Sequence, residues 1–267
     1  MSKYLTIFKV SLAQEFAYKT NFIMWRVRNV LQVFLIFFLW DAVFSEPGTT
    51  LFGYDRTSIL TYVFGLLIVR GLVLSVKSYE VAGDIGRGDL SNYLTKPLSY
   101  FKYWLTRDIS SKTLNVVFAI GETIFLYLIL KPPFYLQTNP VLLVSFLVTL
   151  IIAMLIYFIL IFILGSISFW APELAWGVGW LFITIIIQFM SGAMFPLDVF
   201  PQAIQDILRL TPFPYLIFFP IQVYLGQISI SVIIKGILVS GIWLVVLWFI
   251  FNSVWKRGLR VYQSHGK

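Results

Sequence analysis

Long apolar stretches alternate with short charged ones along this chain, and the apolar stretches have the length of membrane spans. A span needs about 20 mostly apolar residues, because the hydrocarbon core is about 30 Å thick. Six segments meet that requirement, at approximately 25–44, 57–76, 113–131, 141–169, 176–195 and 230–254. The fourth is overlong, which predicts a tilt or a break near Gly165. The first opens with Arg26 and Arg28, whose long stems can snorkel toward headgroups. The pattern predicts an all-α integral membrane protein, a single transmembrane domain over residues 1–267.

Three other stretches are patterned without being spans. Before the first span, Leu5, Phe8, Leu12 and Phe16 recur at helical spacing, with Lys3, Thr6 and Ala13 largely opposite. That predicts an amphipathic helix over residues 2–20 lying in the membrane interface. Between the second and third spans, residues 77–112 are charged and punctuated by Gly83, Gly86 and Gly88. Here Asp89 is placed to cap a short helix whose apolar face is Leu90, Tyr93 and Leu94, and Pro97 ends it. Tyr100, Phe101, Tyr103 and Trp104 then form an interfacial aromatic group. After the fifth span, residues 196–229 hold Pro196, Pro201, Pro212, Pro214 and Pro220 between apolar runs, with only Asp198, Asp206 and Arg209 as charges. The segment is too apolar for a solvated loop and too interrupted for a span. Two short half-helices dipping into the protein satisfy the rule that irregular backbone at membrane depth must be buried. A seventh span near 211–225 is the alternative.

Charge sets the orientation. Lys and Arg number 15 on the side of both termini and of the 77–112 loop, against 4 on the other side, with Arg70 inside a span. By the positive-inside rule both termini and the 77–112 loop are cytosolic. Composition agrees with the span reading: of 267 residues 59% are hydrophobic and only 12% charged, with mean hydropathy +0.87. The net charge of +8 lies beside apolar segments and therefore reads as topology, with no nucleic-acid partner. The first 20 residues lack the apolar core and cleavage site of a signal peptide.

Candidate chemistry is sparse. No phosphate-cradling G-x-x-x-x-G-K-[ST] loop occurs, so no nucleotide cofactor is expected on this chain. There are no cysteines, and the single histidine is His265, so neither a metal site nor a serine–histidine pair is expected. Two ionisable side chains fall within spans. Arg70 lies about 10 Å, and Glu122 about 15 Å, along helix from the nearest loop ends. Were the second and third spans neighbours, the two could pair, as a structural ion pair or as part of a substrate path.

The run Glu80…Asp84-Ile85-Gly86-Arg87-Gly88-Asp89-Leu90…Tyr93-Leu94…Pro97-Leu98 resembles the first cytosolic loop of ABC-2 type exporter permeases. Gly192, Phe195-Pro196-Leu197, Pro201, Leu210, Pro212 and Pro214 resemble that family's pattern after its fifth span. The resemblance extends over essentially the whole chain, and the order of elements carries it more than any single motif. It implies a coupling helix in the 77–112 loop, re-entrant helices facing outward, and a separate ATPase subunit of the daunorubicin type, present in two copies and holding ATP and Mg. It also implies a second permease subunit, identical or different, in a bacterial inner membrane. The cargo is unspecified; the aromatic content of 18% fits an amphipathic or apolar one. A stand-alone secondary transporter, a membrane enzyme acting on lipids and an uncoupled scaffold are the rival readings.

Overall fold

The computed structural model describes residues 2–17 and 19–262. Helices α1 (Ser2–Ala17), α2 (Lys19–Val43) and α3 (Arg56–Val73) are followed by two short helices, α4 (Val81–Gly86) and α5 (Ser91–Leu94). Then come α6 (Tyr100–Leu130), α7 (Pro140–Gly165), α8 (Pro172–Leu181), α9 (Gln188–Met190), α10 (Gln202–Arg209), α11 (Phe218–Leu225) and α12 (Ile230–Val261). Among the described residues six helical segments are long and apolar enough to cross a membrane: Ile23–Val43, Arg56–Val73, Tyr100–Leu130, Pro140–Phe169, Pro172–Met190 and Ile230–Val261. The protein is an all-α integral membrane protein.

The second span, α3, is the centre. It is apolar all round, as a helix enclosed by other helices must be, and Leu60, Leu66 and Leu67 are fully buried. It packs against α2, α6, α7 and α11. Asp55 and Ser58 close its first turn with a reciprocal capping box. The fifth span is the opposite case, mostly exposed along its length. It changes from α-helix to a wider π-helical winding over Phe182–Ile187 before α9.

One boundary differs clearly from the sequence reading. The third span begins at Tyr100 instead of 113, so α6 is about 46 Å long, half as long again as the hydrocarbon core. Its first turns are charged, which hides them from a hydropathy pattern. They are covered by α1: Ser110 Oγ donates to the Phe8 carbonyl at 3.0 Å and an Arg107 guanidinium N–H to Gln14 Oε1 at 3.3 Å. That packing buries Ser11 while Leu5 stays exposed, so the inward face of α1 is rotated from the predicted apolar stripe. The side chain of Phe16, and His265, lie outside the described residues.

The fourth span ends its α-helix at Gly165 and tightens into a 3₁₀ turn over Ser166–Phe169, at the expected break. Phe169 presses on Gly258 of α12 so closely that a Cβ there would lie 2.1 Å from the ring. Phe169 also meets the rings of Trp255 and Tyr262 edge-on.

Residues 191–229 form no seventh span. Gly192 takes φ +82° at the turn leaving the fifth span, its carbonyl accepting from Tyr62 Oη at 2.7 Å, while the Phe218 amide donates to the Ser191 carbonyl at 2.9 Å. Phe195 packs edge-on against Phe189 and Phe200. Pro196 and Pro201 are extended and precede a 3₁₀ turn and α10; Pro212 and Pro214 belong to a second 3₁₀ turn before α11. With eight residues α11 is about 12 Å long, too short to cross. It lies buried against α3 and α7, whereas α10 exposes Ile204 and Ile207.

Candidate functional site

The segment between α3 and α6 folds as a compact platform. A 3₁₀ turn over Ser78–Glu80 runs into α4, and Gly88, at φ +80°, reverses the chain into α5. Such a φ is open to glycine at little cost. The Leu90 amide donates back to the Asp84 carbonyl at 3.0 Å and closes the turn. The platform is held from several sides. Asp84 is buried and accepts from Tyr100 Oη of α6 at 2.7 Å. Val81 and Ala82 meet Gly165, and Gly86 lies against Pro172 of α8. The Ser91 amide donates to Tyr262 Oη, just past α12, at 3.2 Å, and Lys3 Nζ to the Pro97 carbonyl at 2.6 Å.

The predicted residues of this loop therefore divide into two groups. Ile85 and Leu90 are core, Leu90 with no exposed surface. Tyr93 is half-buried in a ring cluster with Tyr100 and Tyr103. Leu94 and Arg87 face outward with Gly86, Asn92, Lys96 and Pro97. The expectation of an exposed Leu90–Tyr93–Leu94 face is thus corrected: tertiary packing takes Leu90 inward and leaves Leu94 to present. Asp89 does not cap α5, because Arg87 Nε claims its carboxylate at 3.0 Å. That bond also holds the Arg87 guanidinium above its ordinary pKa. Glu80 lies 3.6 Å from Arg107. Burial raises the carboxyls of Glu80 and Asp84, opposed by Arg107 in the first case and by the Tyr100 hydrogen bond in the second.

The intramembrane charges pair differently from expectation. Glu122 binds Arg26 of α2, accepting from Nε at 2.6 Å and from Nη2 in a second, shorter contact. Arg26 also donates to Asn115 Oδ1 at 3.3 Å, and Asn115 to Ser75 Oγ at 3.1 Å. Arg70 is buried and donates to Gln32 Oε1 at 2.8 Å. So Arg70 and Glu122 are not partners: α2 contributes to both sites, and the guanidinium read as snorkelling reaches inward instead. Nearby, Lys112 Nζ donates to the Leu72 and Ser75 carbonyls at 2.6 and 2.7 Å and pairs with Asp108 at 3.3 Å. A cation placed on the orphan carbonyls of a helix C-terminus satisfies them where water is scarce.

Beside this network a cavity of about 670 Å³ opens between α1, α2, the end of α3, α6 and the π-helical segment. Its wall includes Glu15, Arg28, Lys77, Glu80 and Arg107 together with Trp25 and Tyr157. At the other end of the bundle, Tyr54 Oη donates to Asp198 Oδ2 at 2.7 Å, and Gln222 Nε2 donates to the same oxygen at 3.0 Å and to Tyr54. Burial raises the Asp198 carboxyl, partly offset by the Tyr54 bond. Neither Tyr54 nor Gln222 carries a motif; a lone acid among prolines and apolar residues was the signal that something polar had to face it.

The arrangement is a bundle with a buried central helix, a platform braced on one face and broken helices at the other. Comparison with curated proteins finds no match. The model of a family described as "ABC-2 family transporter protein" matches residues 30–266, nearly the whole chain. This chain belongs to the ABC-2 family of transporter proteins.

Proposed function

We propose that the chain is the permease subunit of an ATP-driven exporter, moving an amphipathic or apolar cargo out of the cytosol with energy from a separate ATPase. Permeases of this family generally work with ABC ATPase partners. The observation that carries the reading is the platform. It presents a short exposed strip, Arg87, Asn92, Leu94 and Lys96, while its other side is bonded to α6, to α12 and to the turn after α7. A helix laid in a partner's groove delivers force only if its own back is braced, and this one is. The excess of basic residues around the platform supports a cytosolic placement, with both termini on that side. ATP and Mg reside on the ATPase, in two copies of the daunorubicin type. Two permease subunits, identical or different, form the pathway, in the inner membrane of a bacterial cell. The pairing of Glu122 with Arg26 weighs against a proton-relay transporter, which would need free intramembrane acids.

The test is reconstitution. The chain with its ATPase in vesicles should show ATPase activity that depends on both subunits, and a permease altered at Leu94 should lose it. ATP hydrolysis by the isolated chain, or export undiminished without any ATPase, would defeat the reading.

A further inference from the structure

The cavity between α1, α2 and α6 has a charge imbalance that its own residues do not resolve. Lys77 is bound to Glu15 at 2.7 Å, and Arg107 faces Glu80 at 3.6 Å. Arg28 lines the same space and has no acid or hydrogen-bond partner among the described residues. A second cation stands behind the wall. Arg70 is only 6% exposed; Gln32 takes its Nη2, but its Nη1 is buried without a partner. Arg28, in the cavity wall, stands one helical turn before Gln32 on α2, the residue that holds Arg70.

Two guanidinium groups near one another in a setting of low dielectric repel, and a buried donor left unmade is costly. An anion entering beside Arg28 offsets that repulsion, and a guanidinium is well matched to phosphate or carboxylate oxygens. The rest of the wall suits the neck of an amphipath: Trp25, Leu74 and Ile183 are apolar or amphipathic. The volume falls within the range of about 300–1,000 Å³ usual for small-molecule sites. Arg28 itself is exposed and lies near the start of the first span, beside the exposed apolar side chains of Met24, Val27 and Leu31.

From this juxtaposition we infer that the cavity binds the anionic head of an amphipathic molecule, with Arg28 as the cationic contact and the Arg70 charge behind the wall adding to the field, while the tail remains in the bilayer. This names a ligand class for a permease, and as a reading of cargo it rests on the function proposed above. As a binding site it stands by itself.

The experiment is a titration of the purified full chain in detergent, followed by native mass spectrometry, with dioleoyl phosphatidylglycerol, dioleoyl phosphatidylcholine and inorganic phosphate as probes. The wild type should take up one phosphatidylglycerol per chain ahead of phosphatidylcholine. Arg28→Gln should weaken phosphatidylglycerol about tenfold or more, as expected for loss of a charge-assisted bond, and leave phosphatidylcholine unchanged. Arg28→Lys should retain most of the binding, and Arg257→Gln, at the exposed end of α12, should change nothing. Arg70→Gln should also weaken binding; if it unfolds the protein, Arg28→Gln decides alone because Arg28 is not core. Equal phosphatidylglycerol uptake by wild type and Arg28→Gln would overturn the site and leave Arg28 as a snorkelling side chain. Displacement by inorganic phosphate at matching concentration would overturn the assignment to an amphipath. No ATPase and no ATP are present, so failure here is separate from failure of the export reading.

Discussion

Leu90, the residue before α5, and Leu94, the last residue of α5, lie four residues apart and should fail in opposite ways. Leu90 is fully buried in the main core, while Leu94 is 48% exposed. Truncating a buried leucine costs about 2–5 kcal/mol, and an aspartate in that place adds the cost of an unpaired buried charge. At about 2–4 °C per kcal/mol for a chain of this size, Leu90→Ala should lower the melting temperature by roughly 4–20 °C. Leu90→Asp should lower it further and cut the yield of inserted protein. Leu94→Asp changes a surface position, where effects are usually within about 0.5 kcal/mol, so its melting temperature should stay within about 2 °C of wild type. Its effect should appear in assembly. An apolar anchor in a partner groove contributes about 2 kcal/mol or more, so losing it weakens ATPase binding roughly thirtyfold. The assay is co-purification through a tag on the ATPase at matched expression, with thermal unfolding followed by intrinsic fluorescence on the same samples. Full ATPase recovery and normal export with Leu94→Asp would refute the docking strip, and a Leu90→Asp protein as stable as wild type would refute the packing.

Other outcomes can be checked in parallel. Arg26→Gln or Glu122→Gln alone should destabilise the bundle by about 3–5 kcal/mol, since each leaves its partner charged and buried; the double change should cost less than the sum in thermal melts, whereas Arg70→Ala and Glu122→Ala should add independently. Gly192→Ala forces a left-handed φ and brings a Cβ within 2.7 Å of Tyr62 Oη and 2.8 Å of Phe218, so it should fall in melting temperature while Gly177→Ala, in open space, does not. Burial raises the Asp198 carboxyl, so the folded chain holds that proton more tightly than the unfolded one. Its contribution to stability is therefore present at low pH and is lost as pH rises through the raised value. Asp198→Asn, which keeps an acceptor for Tyr54, should flatten that part of the stability profile, above the ordinary carboxylate range, and an unchanged profile would rule out Asp198 as its source.

Much of the architecture was legible because hydropathy and chain length answer to one constraint, the thickness of the membrane. The break at Gly165 and the interrupted segment after the fifth span were visible for the same reason: glycine and proline alter the backbone wherever they stand. The start of α6 was not legible, since Arg107, Asp108 and Lys112 look like loop residues until α1 and the end of α3 are there to satisfy them. The platform could be located from Gly88 and Pro97, yet its outward side could not. Periodicity groups Leu90 with Leu94, and only the surrounding helices determine that Leu90 is the one enclosed. The partner of Glu122 was hidden likewise, because spacing gives a helix face but not the neighbour opposite it.

The contact between Phe169 and Gly258 leaves no clearance. The last helix can neither slide nor turn past the 166–169 corner without carrying the ring along. Four residues beyond Gly258, Tyr262 holds the Ser91 amide, so the platform, that corner and the near end of α12 form one crank. A stroke applied to α5, as the proposed coupling requires, would rock α12 as a rod about 48 Å long. Over that length a tilt of about 5° swings the far end by about 4 Å. That end is joined through residues 226–229 to the broken helices at the opposite face, so on the proposed coupling a single helix would span the distance from the platform to them.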